Sequence, residues 1–70
     1  MQDLTKQYRL KQQALLENLK ALSTPDLMRH AAAWSMRLET RAKTKTQKSI
    51  CTDALKALDA ELEARQNVET

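Results

Sequence analysis

Apolar positions recur at helical spacing in three tracts of this chain. In the first, Tyr8, Leu15 and Leu22 fall seven residues apart and Leu19 joins them on the same side. Leu4 and Leu16 flank that stripe, and Gln12 lies within it. Such spacings line one face of a helix, here with a coiled-coil character. They predict a first helix over residues 3–22. Asp3 is its expected N-cap, because a carboxylate there accepts an orphan backbone N–H at the positive end of the dipole.

Ser23-Thr24-Pro25-Asp26 punctuates the pattern. Proline at the first helical position has no N–H to lose and a φ already suited to the helix. Thr24 is therefore the expected cap, and Asp26 adds negative charge to the first turn. The preceding helix must stop, since residues before proline avoid the α region. So short a link folds the second helix back on the first as an αα-hairpin. That second helix, expected over 25–42, carries Leu27, Ala31, Trp34 and Leu38 on one face, with Met28 and Ala32 widening it.

After Leu38 the apolar signal fails, and only Ala42 interrupts a polar run until Ile50. One possibility is a connector, with Thr44 and Gln47 forming a capping box for a third helix. The other is a single helix that runs through. Continued in phase, the seam of the second helix would pass Arg41, Lys45, Lys48 and Thr52, whereas the later seam is Cys51, Leu55, Leu58 and Leu62. The phase slips, which favours a break near residues 43–47. The third helix is then expected over 46–66, with 67–70 frayed.

Composition sharpens this. The chain has 70 residues, no glycine and one proline. Without glycine, tight hairpins and phosphate-cradling loops lose their usual solution. The expectation is one all-α domain over 1–70, either a small antiparallel three-helix bundle or a helical hairpin able to dimerise. Domains of this size bury only ~60% of their unfolded surface, so self-association or a partner surface is expected. One cysteine and one histidine make neither an intramolecular disulfide nor a structural zinc site.

Net charge is +3, unevenly placed. Residues 1–48 hold ten basic side chains against four acidic ones, +6, and residues 49–70 hold two against five, −3. Such polarity bears on partners rather than on fold. The N-terminus lacks the apolar core of a signal peptide and no apolar run could cross a bilayer, so a cytoplasmic protein without membrane contact is expected.

Catalytic signatures are missing: there is no Gly-rich phosphate loop, nucleophile elbow or zinc-protease histidine pair. His30 has no nucleophile at helical spacing, and Cys51 sits in the apolar seam, where a small buried hydrophobe is expected. The chain is read as a non-enzyme with no cofactor and no small-molecule substrate. Its expected role is that of a regulatory, adaptor or inhibitor protein that binds a protein partner stoichiometrically through a helix face. Met28, Trp34 and Met36 are the candidate apolar anchors, Trp and Met being enriched at interfaces. The alternative is a nucleic-acid-binding regulator. It would use a basic stripe of Arg29, Arg37, Arg41, Lys43, Lys45 and Lys48, provided the second helix persists past Leu38.

Overall fold

The computed structural model describes residues 4–69, with side chains described through Gln66. Three helices follow one another: α1 (Leu4–Asn18), α2 (Thr24–Thr40) and α3 (Lys45–Glu69). No strand occurs among the described residues. The all-α three-helix bundle expected from periodicity is the fold. Asp3, the expected cap of α1, lies outside the described residues, and α3 runs on through Glu69 rather than fraying from 67.

α1 ends four residues sooner than its apolar stripe predicts. Asn18 turns its side-chain amide back to the carbonyl of Ala14 at 2.9 Å, a local bond that competes with helix continuation. The Asn18 carbonyl then accepts from both Ala21 and Leu22, and residues 19–22 form a turn. The cap of α2 is Ser23, not Thr24. Ser23 has extended φ and ψ (−69°, 161°), and its hydroxyl accepts from the Asp26 amide at 3.3 Å. Thr24 thus becomes the first helical residue and Pro25 the second, where a missing N–H still costs nothing.

α2 closes at Thr40, with the Arg41 and Ala42 amides both donating to the Arg37 carbonyl at 2.9 and 2.7 Å. α3 then starts as the capping-box spacing predicts. Thr44 accepts from the Gln47 amide at 3.1 Å, while the Gln47 side-chain carbonyl reaches back one residue further than usual, to the Lys43 amide at 2.9 Å. No described residue has a positive φ. Among the described residues, the end of α1, both ends of α2 and the start of α3 are finished by side chains or by tightened turns, which is how the chain manages there without glycine.

α3 is the central element. It packs against both α1 and α2, and these two do not approach each other through their backbones. Two long-range contacts fix the directions. Gln47 Nε2 donates to Thr5 Oγ1 at the start of α1, and Arg65 donates to carbonyls just past the end of α1. α1 and α3 therefore run parallel, with α2 antiparallel to both. Tyr8, Leu15, Leu27, Trp34, Ile50, Cys51, Ala54 and Leu58 form the core, and Leu19, Leu22, Ala31, Leu38, Ala42, Leu55 and Leu62 pack around it. Met28 and Ala32 do not widen the buried face of α2: both are exposed.

Candidate functional site

Because α1 and α2 meet only through side chains, a groove opens between them on the side away from α3. Its walls are Lys11, Ala14, Leu15 and Asn18 from α1 and His30, Trp34 and Arg37 from α2, with Leu22 at the turn; it encloses about 370 Å³. The sequence reason is direct. Ala14 and Asn18 are small or short, so α1 offers nothing on this flank to fill the space, while Leu15, Leu22 and Trp34 supply an apolar floor. Lys11 and Arg37 stand on opposite walls, and no carboxylate lines the groove.

Trp34 is not a partner anchor standing on the surface. It is 1% exposed, its ring meeting Tyr8 edge-on at a centroid distance of 6.3 Å, with the Arg37 guanidinium 4.9 Å from the ring centroid. An edge-to-face pair adds roughly 0.5–1.5 kcal/mol to area burial, and a cation over tryptophan about as much. The large area that made Trp34 attractive as an anchor is already spent inside the bundle. Met28 and Met36 are each 60% exposed. They share no face with Trp34, since the two residues to Met36 are a rotation of about 200° and the six to Met28 one of about 240°. Met28 lines a small crevice of about 150 Å³ with Thr24, Leu62, Arg65 and Gln66, and Met36 points outward.

The basic stripe is not continuous, because α2 persists past Leu38 only as far as Thr40 and the later cations lie beyond its end. Arg29 lies in the first turns of α2, 3.7 Å from Asp26 and far from the rest. Arg37 is committed to Trp34 and the groove wall. Arg41 caps α2, Lys43 sits in the connector, and Lys45 and Lys48 belong to the opening turns of α3; all four are exposed. Fold topology, rather than a helix face, gathers them at one end of the bundle.

Cys51 is fully buried. Burial pushes its thiol above the ordinary value and the Arg37 guanidinium opposes this more weakly, so the thiol stays protonated and a poor nucleophile at neutral pH. His30 is half-buried on the groove wall. Among the described residues no group of three or more His, Cys, Asp or Glu side chains could hold a metal ion, and no helix is long and apolar enough to cross a membrane.

Sequence reasoning missed the groove. Its signal was present in Lys11, Ala14 and Asn18, which follow the three-and-four spacing along one flank of the Tyr8–Leu15 stripe, but nothing in the sequence showed that α2 would leave that flank open. It also missed Arg65, whose place in the α3 stripe is obscured by its charge. No protein-family model, no curated protein and no solved structure matches this chain.

Proposed function

We propose that this chain is a stoichiometric binding protein, an adaptor or inhibitor, whose α1–α2 groove receives an acidic amphipathic helix from a partner protein. The observation that carries this reading is the groove itself: an apolar floor of Leu15, Leu22 and Trp34 between walls that bear Lys11 and Arg37 and no carboxylate. A helix laid there would stand across from α3 and complete a four-helix arrangement, burying apolar residues at helical spacing. Its flanking carboxylates would meet Lys11 and Arg37, giving steering and register more than raw affinity. The groove runs between two helices and takes lining residues from both, which suits a row of side chains better than a compact small molecule.

The test uses a designed helical peptide with leucines at i, i+3 and i+7 and glutamates on both flanks. Titrated into the isotope-labelled chain, it is expected to shift the amides of Lys11, Ala14, Asn18, Leu22 and Arg37 and to change the Trp34 emission. Ala14→Arg, at an exposed position, fills the groove and should abolish the response while leaving helicity intact. A peptide with the same composition and scrambled leucine spacing should fail. Equal binding of the scrambled peptide would overturn the reading. So would a dimer, seen by light scattering, that Ala14→Arg disperses, because the occupant would then be a second copy of this chain.

A further inference from the structure

A second surface stands apart from the groove. The parallel course of α1 and α3 and the antiparallel course of α2 bring the N-terminal half of α1, the C-terminal end of α2 and the opening turns of α3 to the same end of the molecule. Exposed there are Lys6 and Arg9 from α1, Arg41 and Lys43 from the α2 end and connector, and Lys45 and Lys48 from α3. Among the described residues, none of these six lies within ion-pair distance of a carboxylate; the ion pairs present are Arg29 with Asp26 and Arg65 with Glu61. Glu39 and Asp53 are the described acids bordering this pole. The opposite end carries Glu17, Asp26, Asp59, Glu61 and Glu63. The charge asymmetry of the sequence has become an asymmetry along the long axis of a 47 × 20 × 16 Å body.

We infer that the basic pole binds the phosphate backbone of a nucleic-acid duplex without reading its sequence. Duplex DNA carries one charge per ~1.7 Å of axis, so a pole 16–20 Å across covers about ten phosphate charges. The six cations and the phosphates within their reach are thus opposite in sign and of the same order in number. Thr46 and Ser49 expose hydroxyls between the cations and can add donors to phosphate oxygens. Stacking on single-stranded bases is closed off, because Tyr8 and Trp34 are both in the core. A protein hot spot would need a desolvated anchor, whereas Leu4, Leu10 and Met36, the exposed large apolar side chains nearest the pole, are 36%, 58% and 60% exposed and lie outside the core cluster.

Fluorescence anisotropy on the full chain tests this, with two unrelated 20-base-pair duplexes, each about 68 Å long and so several times the width of the pole. Both should bind alike at about 50 mM salt, and affinity should fall with a log–log slope of about −3 to −5 as salt rises. Lys45→Glu with Lys48→Glu should weaken binding at least about tenfold. An acidic side chain in the first turn of α3 favours the helix, so this variant keeps its fold, checked by circular dichroism. Lys20→Glu, the same kind of charge reversal at the opposite pole, should change binding by less than about twofold. Three results overturn the inference: no binding of either duplex at low salt, equal loss with Lys20→Glu, or binding of polyglutamate or anionic vesicles as tight as that of the duplexes.

Discussion

Gln47 and Arg65 occupy the two ends of a single buried stripe on α3. They stand eighteen positions apart, which is five full turns and about 27 Å. Between them the stripe is Cys51, Ala54 and Leu58, each completely buried. Each polar end turns inward to finish a neighbouring piece of chain. Gln47, 8% exposed, closes the start of α3 and ties it to Thr5. Arg65 is held by Glu61 at 3.2 Å and donates to Thr24 and to the carbonyls of Leu19, Lys20 and Leu22, the last at 2.6 Å. A cation at the exit of α1 meets the carbonyls that a glycine-based cap would otherwise satisfy.

Arg65→Ala is expected to destabilise the bundle by about 2 kcal/mol, the scale of hydrogen bonds from a charged donor, here to part-buried and exposed acceptors. In a chain this short that lowers Tm by about 10 °C. Arg65→Lys should recover little, since an ammonium lacks the planar fork that reaches several carbonyls together. Thermal melts decide it, and an unchanged Tm would mean that water serves the turn equally well.

Gln47 separates two roles by two substitutions. Gln47→Ala removes both and should cost about 1 kcal/mol, the usual scale of a helix cap. Gln47→Glu keeps the oxygen that accepts from Lys43 and loses the donor to Thr5. With it the start of α3 should stay protected in amide exchange while the first turns of α1 open. First turns of α1 as well protected in Gln47→Glu as in the wild type would show that the bond to Thr5 contributes nothing.

The Tyr8 hydroxyl is buried without a hydrogen-bond partner among the described residues. Tyr8→Phe keeps the ring against Trp34 and removes an unserved polar atom, so it should leave stability unchanged or raise it by up to about 1 kcal/mol. Tyr8→Ala should cost about 3–5 kcal/mol through the cavity left behind. A clear loss in the phenylalanine variant would reveal a partner for the hydroxyl in solution.

The buried Cys51 thiol links stability to alkaline pH. Its folded value is raised above the ordinary 9.0, so between the two values the unfolded chain has lost the proton and the folded one keeps it. Unfolding then releases a proton, and stability falls as pH rises through 9.0 and beyond. The wild type should lose Tm more steeply there than Cys51→Ala, measured over the same pH series to cancel lysine and tyrosine titration. Parallel curves would remove burial of the thiol as the cause.

The fold was legible because helix periodicity and helix starts are local. Leu27, Ala31 and Leu38, and the pairing of Thr44 with Gln47, act within one or two turns of chain. Helix ends were read less well, since Asn18 and Arg65 finish α1 together and Arg65 comes from the far end of the sequence. Ser23 rather than Thr24 is the cap, and the Thr24 hydroxyl accepts from Arg65. Trp34 shows the same limit. Its size fits a core or an interface equally, and only the position of Tyr8 on another helix decides between them.

That α3 lies between two helices whose backbones do not approach each other has a consequence for synthesis. As the chain leaves the ribosome, residues 1–44 hold two helices that share side-chain contact such as Tyr8 with Trp34 but lack half of the core, because Ile50, Cys51, Ala54 and Leu58 have not yet been made. Folding must wait for α3, and the turn between α1 and α2 is completed only when Arg65 arrives. A peptide of residues 1–44 is expected to show weak helicity without a cooperative melt, and adding a peptide of residues 45–70 should restore one. Residues 1–44 are a half-built frame whose keystone is translated after them.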